Sequence, residues 1–76
     1  MAASQLVDEL EGLSIEEKRQ LKDSFPDLIK NTPRTAVAET RFKRIMKKAS
    51  HEAYEGMKKI LMDIVSEAVR KAIFGI

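Results

Sequence analysis

The chain has no cysteine and only one histidine, His51, among its 76 residues. Disulfides and thiolate zinc sites are therefore excluded, and a zinc site made of protein ligands alone is not expected. A domain of this size buries only roughly 60% of the surface that its unfolded chain exposes. Its stability must therefore come from tight helix packing or from self-association.

Turn-forming and aromatic residues are also scarce, with three glycines, two prolines, three phenylalanines, one tyrosine and no tryptophan. So few turn residues argue against a β fold, and the abundant Ala, Glu, Lys, Leu, Ile and Met favour helix. No apolar run is long enough to span a bilayer, and the first residues lack the basic and apolar stretches of a signal peptide. The sequence predicts a cytoplasmic, all-α single domain over residues 1–76, with three or four helices.

Charge is divided unevenly along the chain, although the net charge is only +2. Residues 1–31 hold seven acidic and four basic side chains, whereas residues 32–76 hold five acidic and ten basic ones. This division indicates an acidic first half that folds onto a basic second half, within one chain or between chains. Alternatively, it leaves a basic face for an acidic partner.

Capping signals predict the helices of the first half. Ser4 can cap a short helix that runs through Glu11, and Gly12 follows at a position that suits a helix end. Ser14 and Glu17 have the spacing of a capping box, which predicts a second helix to about Ser24. Its buried residues are expected to be Ile15, Leu21 and Phe25.

Two prolines give the next boundaries. Pro26 predicts that the second helix stops and that a separate short helix covers residues 26–30. Thr32 and Pro33 suit the N-cap and first position of a helix over residues 33–49. Ser50 can cap a last helix over residues 51–74, although the two helices could also be continuous, because neither Gly nor Pro separates them.

The predicted last helix is long and broadly apolar. At 1.5 Å per residue it would measure about 36 Å, which is longer than the short preceding helices can cover. Gly75 can end it in a left-handed conformation, with Ile76 folding back. The sequence therefore predicts a homo-oligomer, a dimer or larger, that associates through residues 57–76. The predicted core and interface residues are Met57, Leu61, Ile64, Val65, Ala68, Val69, Ala72, Ile73 and Phe74.

A basic run suggests an alternative function, a small nucleic-acid-binding protein that uses residues 34–48. Phe42, Ile45 and Met46 in this run are expected to face the core, so no exposed aromatic side chain is left nearby for base stacking. The alternative without a binding function is a solvent-exposed charged face that is partly paired with the acidic first half. The candidate contacts to an acidic partner are Arg34, Arg41, Lys43, Arg44, Lys47 and Lys48.

No pattern in the chain predicts catalysis. His51 and Glu55 share the spacing of two ligands in a zinc-binding helix, but no third ligand is evident, and acids simply suit the start of a helix. Neither a nucleophile elbow nor a Gly-rich phosphate loop occurs. We therefore expect no enzymatic activity, metal, cofactor or small-molecule substrate. The mixed charges of the last helix also argue against membrane binding.

Several short motifs carry a family resemblance: Leu-Glu-Gly-Leu-Ser at 10–14, Asn-Thr-Pro-Arg-Thr at 31–35, Arg-Phe-Lys at 41–43 and Asp-Ile-Val-Ser-Glu-Ala at 63–68. Together they resemble the C-terminal helical tail of a bacterial protein family of unknown function, over nearly the whole chain. The resemblance implies longer members with a cysteine-rich, zinc-ribbon-like segment before this tail. The present chain lacks that segment and would be either a piece of a longer protein or a stand-alone version. The resemblance implies an accessory helical module and supplies no functional residues.

Overall fold

Five helices make up the fold of residues 2–75. The computed structural model describes residues 2–75, and in that part of the chain there is no strand. The all-α prediction is confirmed, but there are five helices instead of three or four. They are α1 (Ala2–Glu9), α2 (Ile15–Ile29), α3 (Thr35–Met46), α4 (His51–Leu61) and α5 (Glu67–Phe74).

All five helices contribute to one hydrophobic core. Helix α1 packs against α2 and α4, α2 against α3, and α3 against α5. The radius of gyration is 11.1 Å, close to the roughly 11 Å expected for a compact chain of this length. The chain thus buries most of its large apolar residues without a second subunit. The buried apolar residues are Val7, Leu10, Leu21, Phe25, Leu28, Ala38, Phe42, Ile45, Met46, Met57, Leu61, Val65, Val69 and Ile73.

The predicted capping box at the start of α2 is confirmed. The backbone N–H of Glu17 donates to Ser14 Oγ, and the backbone N–H of Ser14 donates to Glu17 Oε1, both at 3.0 Å. Ser4, in contrast, lies inside α1 and is not its cap, because the helix already includes Ala2. Helix α1 ends at Glu9, two residues before the predicted end, and Gly12 lies in the following turn with a φ of +87°.

Helix α2 continues through Pro26, so the prediction of a separate helix over residues 26–30 is wrong. Proline cannot donate a backbone hydrogen bond, but Pro26 itself lies on the exposed side of the helix. Its neighbours Phe25 and Leu28 are buried in the core. The packing of these two side chains stabilises one continuous helix, although Pro26 interrupts the backbone hydrogen bonds on the solvent-exposed side.

The predicted burial of Leu21 and Phe25 is confirmed, but that of Ile15 is wrong. Ile15 is 88% exposed. At 100° per residue it lies about 120° around the helix from Leu21, which faces the core. The angular position of Ile15 on the helix, and not its apolar character, therefore decides its exposure.

Helix α3 is shorter than predicted at both ends. It begins at Thr35 instead of Pro33 and ends at Met46 instead of Ala49. Thr32 still stabilises the turn before it, since the backbone N–H of Arg34 donates to Thr32 Oγ1 at 3.1 Å. The alternative in which the middle and last helices are continuous is wrong, because α4 starts at His51. Ser50 caps α4 as predicted, accepting the backbone N–H of Ala53 at 3.1 Å.

The predicted long helix over residues 51–74 is wrong. Helix α4 ends at Leu61, and α5 begins after Ser66, whose Oγ accepts the backbone N–H of Val69 at 3.3 Å. A straight helix over those residues would measure about 36 Å, whereas the longest extent of the molecule is 28 Å. The break at residues 62–66 allows both helices to pack on the same core. Gly75 ends α5 with a φ of +75°, as predicted; Ile76 lies outside the described residues.

Candidate protein-binding grooves

The residues predicted for an oligomer interface do not form one exposed apolar face. Ala72 and Phe74 are half-buried, Ala68 is exposed and Ile64 is 41% exposed. Because the long helix is broken, the apolar side chains that it would have presented to a partner mostly point into the chain's own core. The predicted residues that lie buried there are Met57, Leu61, Val65, Val69 and Ile73.

Three residues of the basic run contact the first half of the same chain. Lys48 pairs with Glu17, and Arg34 Nε lies 3.7 Å from Asp27 Oδ1. Arg44 Nη2 donates to Gln20 Oε1 at 3.2 Å. Of the alternatives that the charge division left open, contact within one chain therefore accounts for these three side chains.

The pair between Lys48 and Glu17 joins the start of α2 to the segment after α3. The bound Lys48 ammonium, and after it the backbone N–H of Ser14, holds the pKa of the Glu17 carboxyl below its usual value. The Glu17 side chain is 21% exposed, less than the other carboxylates that pair with lysine in this structure. It caps α2 and binds Lys48 at the same time.

A groove with a basic rim lies between α3, α4 and α5; we call it the basic groove. Its floor consists of Phe42, Met46, Ile73 and the half-buried ring of Tyr54, and its volume is ≈ 240 Å³. Two exposed lysines lie on its rim: Lys43 in the last turn of α3, and Lys47, which directly follows α3. Among residues 2–75, neither lysine is within ion-pair distance of a carboxylate.

An aromatic cluster includes two residues of the floor of the basic groove, Phe42 and Tyr54. The ring of Phe74 lies 5.7 Å from the rings of both Phe42 and Tyr54, with interplanar angles of 88° and 80°. Edge-to-face pairs of this kind are favourable beyond the area that they bury. The contact with Phe74 therefore fixes the position of the Tyr54 ring in the floor of the groove.

A second groove, lined by acidic residues, lies between α1 and the start of α4; we call it the acidic groove. Its volume is ≈ 390 Å³, and its floor includes the half-buried Leu6 and the buried Leu10. Glu9, Glu11 and Glu52 line it and are exposed. Within the described chain, none of the three forms an ion pair.

The remaining candidate residues lie elsewhere. Arg41 lines a wider groove of ≈ 560 Å³ between α2 and α3, together with Arg44 and with Val37, which is 58% exposed. His51 is largely exposed, and its Nε2 lies 3.8 Å from Glu55 Oε1. Over residues 2–75, no three His, Cys, Asp or Glu side chains come together as metal ligands would.

Sequence reasoning recognised Phe42 and Met46 as core residues but did not recognise that they border a groove, and it missed Tyr54 altogether. The groove exists because α5 turns back beside α3, which brings Ile73 and Phe74 next to Phe42. That return depends on the break at residues 62–66. The local signal for the break was Ser66 followed by Glu67, a helix-start pattern inside a segment that otherwise favours continuous helix.

Comparison with known proteins places the chain in a family. The model of DUF2321, described as an uncharacterized protein conserved in bacteria, matches residues 1–73. The chain belongs to this family. Neither a curated protein nor a solved structure matches it. The resemblance to an uncharacterised bacterial family is thus confirmed, while the cysteine-rich segment of longer members stays a prediction. Of the five helices described for this DUF2321 protein, none is long and apolar enough to cross a membrane.

Proposed function

We propose that this DUF2321 protein is a non-enzymatic, cytoplasmic protein-interaction module whose basic groove binds an acidic amphipathic segment of a partner. The observation that carries the proposal is the juxtaposition of an apolar floor with Lys43 and Lys47, two exposed lysines that bind no carboxylate in the described chain. An amphipathic segment would bury its apolar residues on the floor and place its carboxylates beside the lysines.

The groove favours a protein segment over nucleic acid. Three basic residues that a nucleic-acid backbone would need, Arg34, Arg44 and Lys48, contact side chains of the first half instead. Of the aromatic rings near the basic run, Phe42 is buried and Phe74 is half-buried, so only part of the Tyr54 ring faces the groove, whereas nucleic-acid binding sites usually stack several bases on exposed rings. Two lysines beside an apolar floor suit an acidic, partly apolar ligand better than a phosphate backbone.

In the longer family members that the sequence resemblance implies, we propose that this module serves as the interaction tail beside a cysteine-rich, metal-binding segment. Its supporting observation is that all five helices contribute buried residues to one hydrophobic core, from which we infer that the module folds without residues from such a segment. Expressing a longer member with and without the segment would test this: the helical signal of the tail should be the same in both.

The proposed binding is tested by titrating the ¹⁵N-labelled protein with short amphipathic helical peptides that differ only in the sign of their charged residues. We expect acidic peptides to shift the amide resonances of Phe42, Met46, Tyr54 and Ile73, and basic peptides to leave them unchanged. The K43E K47E double variant should lose the response. The matched control is K30E K59E, which makes the same change in net charge at two exposed lysines outside both grooves.

Three results would contradict the proposal: no shift with any acidic peptide, equal shifts with acidic and basic peptides, or an unchanged response in K43E K47E. A mixed DNA and RNA panel at about 50 mM salt should show no binding, since phosphate contacts are strongest at low salt. Salt-sensitive binding that is lost when Arg41 is substituted would instead establish the nucleic-acid alternative.

A further inference from the structure

The two charged grooves lie on either side of the first turn of α4. Ser50, Glu52 and Ala53 line the acidic groove, whereas Tyr54 lines the basic groove. The same helix turn therefore contributes to both grooves, which lie next to each other at the start of α4, each with an apolar floor and with rims of opposite charge.

Two adjacent grooves with rims of opposite charge suit a symmetric self-contact. In a two-fold dimer, the same surface patch of each copy forms the interface. Each half of that patch contacts the other half on the second copy, so the two halves must be complementary. An axis near the first turn of α4 would place the basic groove of one copy opposite the acidic groove of the other, and the reverse contact would follow by symmetry.

We propose that the partner of the basic groove is a second copy of this chain, bound as a two-fold dimer with its axis near the first turn of α4. The proposal rests on the proposed function, because it names the occupant of the same groove. Glu9 and Glu11 of one copy pair with Lys43 and Lys47 of the other. The apolar floor around Leu6 meets the Tyr54 ring in each of the two equivalent contacts.

The chemistry of these contacts sets the properties of the dimer. The four charged side chains are exposed, and in the described chain none has an internal ion-pair partner that it would have to leave. Exposed ion pairs are weak and are screened by salt. The dimer is therefore expected to dissociate as the salt concentration rises, unlike an obligate dimer with a large apolar interface.

Two charge-reversed variants provide a sharp test by sedimentation velocity. In K43E K47E both grooves are acidic, and in E9K E11K both are basic, so each variant alone should be monomeric. In an equimolar mixture, both contacts again join opposite charges, and a heterodimer should form. The control K30E K59E should dimerise like the unchanged protein, and circular dichroism should show equal helix content in all variants.

The unchanged protein should be dimeric at low salt and roughly 100 μM, a concentration that populates dimers with a Kd of about 100 μM or tighter. A monomer under these conditions, a variant that still dimerises alone, or a mixture that does not associate would each overturn the second-copy proposal. If the protein is monomeric but acidic peptides still shift the basic-groove resonances, the proposed function stands and only the identity of the partner is wrong. If neither occurs, both proposals fail.

Discussion

The turn between α2 and α3 and the turn between α4 and α5 are stabilised in different ways. In the first, Thr32 Oγ1 donates to Asp27 Oδ1 at 3.0 Å, and Thr35 Oγ1 donates to the Asp27 carbonyl at 2.7 Å. In the second, Val65 is buried and the side-chain hydrogen bonds are longer, at 3.3 Å from the Val69 N–H to Ser66 Oγ and 3.4 Å from Arg70 Nη1 to the Met62 carbonyl. Side-chain hydrogen bonds define the first turn, whereas burial of apolar side chains defines the second.

The largest expected effect comes from weakening the packing beside the second turn. Leu61 ends α4 and is fully buried, so L61A should lower the free energy of unfolding by about 2–5 kcal/mol. Chemical denaturation followed by circular dichroism measures the loss. Ile64, three residues later and 41% exposed, provides the matched control: I64A should cost much less. Equal losses would contradict the view that burial defines this turn.

The two turns also differ in how far the sequence could predict them. Thr32-Pro33 marked the first boundary directly, because both residue types restrict the backbone locally and the threonine hydroxyl finds a nearby partner. The second break was missed because residues 57–73 carry a continuous helical apolar pattern. The segment folds back because the core is too small for one straight helix of that length. The size of the core depends on how all the helices pack, so a local sequence pattern does not reveal it.

The same difference between local signals and tertiary packing explains which other features of the fold and the grooves could be predicted. The capping box of Ser14 and Glu17 and the cap at Ser50 were predictable, because each is a contact within four residues. Continuity through Pro26 was not, because it depends on Phe25 and Leu28 packing against other helices. The charge division predicted that the halves could pair but could not identify Lys43 and Lys47 as the lysines left exposed beside an apolar floor.

A smaller effect is expected from removing one hydroxyl from each turn. T32A loses both the hydrogen bond to Asp27 and the one accepted from the backbone N–H of Arg34, and it should cost about 1–2 kcal/mol. S66A loses a single N-cap bond, and it should cost about 1 kcal/mol or less. Thermal and denaturant unfolding of both variants give the order. A greater loss for S66A would contradict the view that side-chain hydrogen bonds contribute more to the first turn than to the second.

Helix α4, which leads into the second turn, should tolerate strengthening. A Cβ added at Gly56 would lie 3.5 Å from Leu6 Cδ2, an ordinary van der Waals contact. G56A should therefore gain up to about 1 kcal/mol, the helix-propensity difference between Gly and Ala. G75A is the contrasting variant. The backbone φ of +75° at this position strains a residue that has a Cβ, so G75A should lower the free energy of unfolding. A destabilised G56A would indicate that α1 and α4 need a closer approach than this distance suggests.

The smallest expected effect is on the pH dependence of the free energy of unfolding, where Glu17 and Glu16 can be compared. The folded-state pKa of Glu17 is lowered by Lys48 and Ser14, so its contribution is complete above the unfolded pKa of about 4.3 and is lost as the pH falls through the lowered value. E17Q should therefore flatten the fall in stability below that pH. The pKa of Glu16 is lowered too, chiefly by Arg19 within the same helix, so E16Q removes a pair that joins no two helices. Urea unfolding between acidic and neutral pH should show a larger flattening for E17Q than for E16Q, because the Glu17 side chain is less exposed and connects α2 to the residues after α3.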